Sequence, residues 1–351
     1  MSTDGMAVRD LLGEHDPVTA EYGTDPLARS ATRQRIETLT RQPTIPAPAP
    51  IRRRAPGPRW ATAWVVAAST AALVVVQFGL PELGSGLTGS DRAYAATPHL
   101  LSYQALTGDA SSRLQQLATS VRAFPASSAP PSAYEYVKTQ GWYLNTTVAG
   151  GQPTTSAVVP VVVQRWRAPD GSGRERITAG TVEPTDSAID PATVVPTSDR
   201  TLAAGELAAM YQLPLPADEK TLQAVLAAGH PAENGPAETL IAVADLYKDL
   251  PVEDPAVRAT LLDLVAQLPS LQLVGATTDR LGRPGVAVAI DSTLGGLPNR
   301  RTLIFDATSG QLLADEGTLT QSAGKLNVRV PCVIDYTLFE AAASLANLNN
   351  R

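Results

Sequence analysis

From residue 109 onward, the hydrophobic positions follow a helix pattern first and strand patterns after it. The run "DASSRLQQLATSVR" (109–122) puts Leu114, Leu117 and Val121 on one face of a helix that Asp109 caps. Runs rich in Val, Tyr, Ile and Trp follow at 134–147, 157–168 and 174–180. The last two are joined by "PDGSG", a tight-turn signal. This order predicts one helix followed by three antiparallel strands.

The periodicity becomes helical after a Pro- and Thr-rich loop near 183–197. Four runs predict helical segments: "TLAAGELAAMYQL", "DEKTLQAVLAAG", "AETLIAVADLYKDL" and "DPAVRATLLDLVAQL", the last with Asp254 as cap and Pro255 inside. Strand patterns return in "LQLVGATT", "GVAVAID", "RTLIFDA", "QLLADEGTL" and "KLNVRVPCVIDYTLF". Strands, then helices, then strands predict an α+β fold with a mostly antiparallel sheet and a helical insertion.

Residues 60–80 form an uncharged apolar run, and its length of 21 residues fits a transmembrane helix. Arg52, Arg53, Arg54 and Arg59 precede the run, whereas Glu82, Asp91 and Arg92 follow it. The positive-inside rule then places the N-terminus in the cytoplasm and the C-terminal region outside the cell membrane. The alternative is a signal peptide cleaved near "AYAA" (93–96), but the 59 residues before the run favour an uncleaved anchor.

The N-terminal residues 1–59 are too short and too polar for an independent core. Asp25 and Pro26 suit the start of a short helix that ends near Gln42, and a Pro- and Arg-rich linker follows. This tail is either a simple tether or a segment that folds on a cytoplasmic partner. The G-x-G-x-x-G match at 84–89 follows the apolar run instead of a strand, so we interpret it as a stalk.

Charge divides the chain in the same place. Residues 1–59 carry 9 basic and 7 acidic residues, and the remainder carries 19 basic and 27 acidic ones. An acidic C-terminal region lacks the positive surface expected of a nucleic-acid-binding protein.

Candidate metal ligands and nucleophiles are few. Cys332 is the only cysteine, and its place in an alternating run with Val328, Val330, Ile334, Tyr336 and Leu338 predicts a buried thiol. The three histidines are scattered, so we predict no metal site, no cofactor and no catalytic residue. Asp291, Asp306 and Asp335 lie near strand ends; we expect the first two to cap turns and Asp335 to point to solvent.

Four aromatic residues are candidates to line a ligand-binding groove. Tyr134, Tyr136, Trp142 and Trp166 lie in adjacent predicted strands and would line a surface for a lipid or sugar. The alternative is that they are core residues or cross-strand pairs.

Several long blocks give the chain a family resemblance: "RAYAATPHLLSY", "GWYLNTTVAGG", "WRAPDGSGRER", "TDRLGRPGVAVAID" and "AGKLNVRVPCVIDYT". They resemble an actinobacterial family of single-pass membrane proteins that are often encoded beside sigma factors. The resemblance implies an outer domain similar to the lipoprotein-carrier fold and to the sensor domain of a periplasmic sigma-factor regulator. In such a domain helices cover a curved antiparallel sheet. It implies no catalytic residues.

The sequence therefore predicts a cytoplasmic tail (1–59), a transmembrane helix (60–80), a stalk (81–95), an extracytoplasmic α+β domain (96–340) and a short C-terminal tail (341–351). We expect a non-catalytic binding or sensing protein whose outer ligand is a lipid, a peptide or an envelope protein. One alternative is a regulator that binds a sigma factor through residues 20–42, and another is an envelope hydrolase. No nucleic-acid partner is expected.

Overall fold

A computed structural model of the chain describes residues 97–125, 133–149, 152–179, 198–207 and 209–348. Four α-helices form among these residues. They are α1 (Ala110–Arg122), α2 (Glu219–Ala227), α3 (Pro236–Asp249) and α4 (Pro255–Ala266). Asp109, Asp218 and Asp254 each accept a hydrogen bond from a main-chain N–H of the first turn that follows them. The helix predicted from Asp109 and the start predicted at Asp254 and Pro255 are confirmed.

Nine strands form one sheet in the same part of the chain. They are β1 (Tyr134–Ala149), β2 (Gln152–Arg167), β3 (Gly173–Ala179), β4 (Ser198–Leu202), β5 (Gln272–Thr278), β6 (Pro284–Ser292), β7 (Asn299–Asp306), β8 (Leu312–Leu319) and β9 (Cys332–Leu345). Their spatial order is β4-β3-β2-β1-β9-β8-β7-β6-β5, and every neighbouring pair is antiparallel. The first and last strands of the chain order, β1 and β9, are therefore neighbours in the middle of the sheet.

The two faces of the sheet are covered differently. All four helices contribute to one core cluster with sheet residues such as Val288, Leu303 and Phe339. The neighbours of these residues along the strands, such as Ala287 and Ile304, belong to a second cluster that contains no residue of the helices. Because side chains alternate along a strand, the two clusters lie on opposite faces of the sheet.

The predicted fold class is wrong, because it included one transmembrane helix. No helix among the residues described is both long and apolar enough to cross a membrane. The longest, α3, has 14 residues, which span about 21 Å at 1.5 Å per residue, against a hydrocarbon core of about 30 Å. Residues 60–80, to which the helix was assigned, lie outside the described residues, as do the whole of the predicted cytoplasmic tail (1–59) and stalk (81–95).

The helical insertion is shorter than predicted. The described part of the run "TLAAGELAAMYQL" (201–207 and 209–213) is the end of β4 followed by turns and bends, whereas the other three runs form α2, α3 and α4. Two of its main-chain N–H groups donate to the turn between β2 and β3: Gly205 N–H to the Asp170 carbonyl and Leu207 N–H to the Gly171 carbonyl, each at 2.9 Å. Gly205 also has a φ of +79°, which is outside the helical region.

The alternation predicted for 328–338 needs a similar correction. β9 begins only at Cys332, and its pairing with β8 shifts by one residue between Val333 and Asp335. Cys332 is 2% exposed, so its predicted burial is confirmed. Val330 lies before the strand and is only partly buried.

Candidate functional site

The four aromatic residues predicted to line a groove are divided between two clusters. Tyr136 of β1 lies opposite Trp166 of β2, with ring centroids 5.0 Å apart, and Tyr134 packs against the same cluster. Trp142 lies opposite Tyr336 of β9, with centroids 6.1 Å apart, in the cluster on the sheet face that the helices do not cover. Each of the two pairs spans adjacent strands, and in neither case does the pair line the cleft described next.

A half-open cleft lies where α3 and α4 meet strands β1 and β9. Its volume is about 510 Å³, within the usual range for small-ligand sites. It is lined by Val137, Tyr247, Val252, Glu253, Arg258, Arg283, Gln311, Phe339, Glu340, Ala341 and Ala342. Its size and its mixed apolar and charged lining make it a candidate binding site.

One wall of the cleft is apolar and is supplied by the sheet. Val137 of β1 pairs with Ala342 of β9, and Phe339 belongs to the helix-side core. The ring of Phe339 meets Tyr247 of α3 edge-on, with centroids 5.8 Å apart. The small side chain of Ala342 leaves room that a larger residue would fill. This wall is suited to an apolar ligand body.

Two arginines also line the cleft. Arg283 is fully engaged: it pairs with Asp279 and donates to the carbonyls of Phe339 at 2.7 Å and Leu313 at 2.9 Å. Its charge is neutralised and its donors are used. Arg283 therefore fixes the strands around the cleft and offers little to a ligand.

Arg258, in the first turn of α4, is held differently. Its Nε donates to the Ser309 carbonyl at 3.1 Å, and its Nη1 donates to the carbonyls of Val252 at 3.1 Å and Glu253 at 2.7 Å. Among the residues that the structure describes, no carboxylate pairs with Arg258 and no hydrogen bond uses its Nη2. The guanidinium is thus oriented by neutral carbonyls and keeps its positive charge and one free donor edge.

Gln311 lies close to Arg258 in the fold, because it comes two residues after Ser309. Its main chain takes part in the turn that precedes β8, but its side-chain amide makes no hydrogen bond to any described residue. The cleft therefore has an apolar wall and, at the turn between β7 and β8, a polar end with unused donors.

Two acids also line the cleft, and both have partners. Glu340 pairs with Lys138 at 2.5 Å, and the exposed Glu253 accepts a hydrogen bond from Ser344 Oγ at 2.7 Å. Glu340 is consequently neutralised by a neighbour on β1. Arg258 is the cation of the cleft that lacks such a neutralising partner among the described residues.

A second polar cluster connects α3 to the sheet. Lys248 Nζ lies 3.1 Å from Asp245 and 3.7 Å from Asp315, and Arg301 Nη1 lies 3.2 Å from Asp315 and 2.6 Å from Asp335. Burial raises the pKa of the Asp315 carboxyl, although Arg301 and Lys248 oppose that rise. For Lys248, burial acts to lower the pKa of the ammonium, but Asp245 and Asp315 outweigh it and the pKa is raised.

Two glycines give this cluster its room. A Cβ on Gly317 would lie 2.9 Å from Asp335 Cγ, and a Cβ on Gly141 would lie 2.6 Å from the hydroxyl of Tyr143. Tyr143 in turn shares a hydrogen bond of 3.2 Å with Thr337 Oγ1. The charged side chains of the cluster pair mostly with one another. We therefore interpret the cluster as a structural connection between α3 and the strands β7, β8 and β9.

The three aspartates singled out from the sequence have different places. Asp306 caps the turn after β7, accepting from the N–H of Thr308 at 3.0 Å and of Ser309 at 2.6 Å, as predicted. Asp291 instead pairs with Arg300 on the neighbouring strand. The expectation that Asp335 points to solvent is wrong, because its carboxylate contacts Arg301 and only 27% of the side chain is exposed.

Neither of the two described histidines, His99 and His230, lines the cleft. His230 is buried, with Nδ1 2.7 Å from Glu238 Oε1 and Nε2 3.5 Å from Asp245 Oδ2. Within the described ranges, no group of three or more His, Cys, Asp or Glu residues is arranged to hold a metal ion.

Sequence reasoning missed Arg258, Gln311 and the apolar wall around Ala342. A single arginine in an otherwise apolar helix is usually an exposed residue, and an alanine on a strand gives no signal of a cleft. Only the position of α4 against the turn between β7 and β8 brings these residues together.

No family model matches the chain, and no curated protein matches it in sequence.

Proposed function

We propose that this protein is a non-catalytic binding domain that holds a ligand with an apolar body, an acyl chain or a peptide segment, in the cleft between α3, α4, β1 and β9. The observation that carries the proposal is the cleft itself, with about 510 Å³ of space against a wall formed by Val137, Phe339 and Ala342. Burying an apolar ligand there gains roughly 25 cal/mol for each Å² removed from water.

The side chains around the cleft also favour binding over catalysis. Of the two arginines, Arg283 is used by an ion pair and by carbonyls, and Arg258 is oriented by carbonyls. Covalent or acid–base chemistry needs a nucleophile or a proton carrier within hydrogen-bond reach of a ligand. Of the two carboxylates in the lining, Glu340 pairs with Lys138 and Glu253 accepts from Ser344, so the lining side chains suit holding a ligand.

The test is ligand retention by the full-length protein and by a variant with a filled cleft. Ala342→Trp should fill the space beside Val137, whereas Ala228→Trp places the same side chain at an exposed helix end. Native mass spectrometry should find a bound lipid or peptide on the wild type and on Ala228→Trp. We expect occupancy of Ala342→Trp to fall at least tenfold.

The proposal would be overturned if the wild type carries no ligand and also fails to bind an added alkyl compound such as dodecanol. Equal occupancy of the two tryptophan variants would contradict the location, because binding would then lie elsewhere on the protein.

A further inference from the structure

We infer that the ligand of the cleft is an alkyl carboxylate whose carboxylate group is held by Nη2 of Arg258 and the side-chain amide of Gln311. This inference rests on the proposed function and adds the chemical class and the orientation of the ligand. The carboxylate lies at the turn between β7 and β8, and the alkyl chain extends along Val137 and Ala342.

The first argument is charge. Arg258 makes three hydrogen bonds, all to main-chain carbonyls, and has no carboxylate partner among the described residues. The exposed carboxylate of Glu253 also lines the cleft, but it bonds to Ser344 Oγ and not to Arg258, so a ligand carboxylate at Nη2 would be the first anion to contact this guanidinium. Charge-assisted hydrogen bonds of this kind are about twice as strong as neutral ones.

The second argument is geometry. Three carbonyls hold Nε and Nη1 of Arg258, so the remaining Nη2 edge is oriented before any ligand binds, which lowers the entropy cost of binding. The amide of Gln311, also without a hydrogen-bond partner in the described chain, adds a neutral donor at the same end. Two donors of this kind suit the two oxygens of one carboxylate.

The third argument selects an alkyl chain over a peptide as the body of the ligand. The wall is formed by side chains on the face of the sheet; outside the bulge at Glu340 the main-chain groups of β1 and β9 are paired with each other, and the Phe339 carbonyl is already used by Arg283. A peptide would bury its own N–H and C=O groups against Val137, Phe339 and Ala342, where they find no partners. An alkyl chain has no such groups.

The experiment compares dodecanoate with dodecanol on the full-length protein at pH 8, where dodecanoate is ionised. The two probes share one chain and differ in the head group. We expect the wild type to bind dodecanoate at least tenfold more tightly than dodecanol, as measured by isothermal titration calorimetry. Arg258→Gln should remove that preference while dodecanol affinity stays within about twofold.

A second variant guards against loss of structure in Arg258→Gln. Gln311→Glu leaves every hydrogen bond of Arg258 intact and places a competing carboxylate beside it. It should weaken dodecanoate at least tenfold and leave dodecanol unchanged. The matched neutral variant Gln311→Leu should weaken dodecanoate by a smaller factor.

The outcomes separate the inference from the proposed function. If the wild type binds both probes equally, or if Gln311→Glu weakens both equally, the carboxylate assignment is wrong while the apolar cleft stands. If neither probe nor a dodecapeptide binds the wild type, the proposed function fails as well. Tight binding of a dodecapeptide with no binding of dodecanoate would overturn the whole inference, both the alkyl body and the carboxylate, while the binding cleft stands.

Discussion

At the residue scale, the absence of a side chain on Gly317 leaves room for the carboxylate of Asp335. A Cβ on Gly317 would overlap this carboxylate, which reaches from β9 across β8 to Arg301 on β7. Gly317→Ala should push this carboxylate away from Arg301 and destabilise the protein by about 1–3 kcal/mol, as overpacking usually does. Urea unfolding of the two proteins measures the difference.

A double-mutant cycle supplies the control for that prediction. In an Asp335→Ala background the space beside residue 317 is free, so adding Gly317→Ala should cost under about 0.5 kcal/mol. If Gly317→Ala is equally costly with and without the Asp335 carboxylate, the clash is with the backbone and the proposed role of Gly317 is wrong.

Cys332 is a second residue whose surroundings decide its chemistry. The side chain is 2% exposed, and burial raises the pKa of its thiol to about 11. Since the thiolate is the reactive form, the folded protein should react with a disulfide reagent at pH 8 at a rate at least a hundredfold below that of the urea-unfolded chain. Absorbance of the released thiol follows both reactions.

The same pKa shift predicts how stability depends on pH. The folded-state pKa lies above the ordinary value of 9.0, so the unfolded chain loses its thiol proton first as the pH rises. The stability of the wild type relative to Cys332→Ala should be constant below pH 9 and should fall between about pH 9 and 11. A difference that stays flat over that window, or rapid labelling at pH 8, would show that the thiol is accessible.

At the scale of elements, local patterns predicted most segments and failed where contacts distant in sequence decide. The runs at 109–122, 134–147 and 174–180 became α1, β1 and β3, because their capping and alternation are properties of neighbouring residues. The run 201–213 has helical periodicity, yet the N–H groups of Gly205 and Leu207 bond to the turn at 170–171. A tertiary partner there replaced the helical hydrogen bonds that periodicity assumes.

The cleft could not be predicted for a related reason. β9 carries one extra residue against β1 between Phe339 and Ala341, a bulge that moves every later residue to the other face. Strict alternation from Phe339 would place Ala341 on the helix side, whereas the bulge gives that position to Ala342, opposite Val137. The wall of the site therefore depends on one inserted residue, Glu340, and the insertion has no signature in the sequence.

At the scale of the whole molecule, β9 is the strand that makes two groups of strands into one sheet. It pairs with β1 from Tyr134 to Tyr143 and with β8 from Ala314 to Leu319. Strands β1–β4 and β5–β8 come from different parts of the chain, and the helices α2, α3 and α4 lie between them in sequence. Among the strands described, no other joins the two groups. The cleft, which uses β1 and β9 together with α4, exists only when this junction is formed.

Leu338, in the middle of β9, tests whether the sheet unfolds as one unit. It lies opposite Gln140 of β1 and Ala314 of β8. Leu338→Ala removes a buried side chain and should cost about 2–5 kcal/mol while leaving the ladder intact. Leu338→Pro also removes the N–H of a central strand, so it should cost at least about 3 kcal/mol more.

Because native stability is only about 5–15 kcal/mol, the proline variant should lose hydrogen-exchange protection in β2 and β7 together, whereas the alanine variant keeps both. Retained protection of β7 with loss in β2 would show instead that strands β5–β8 and the helices fold without β9, and that the cleft forms in a second, separate step.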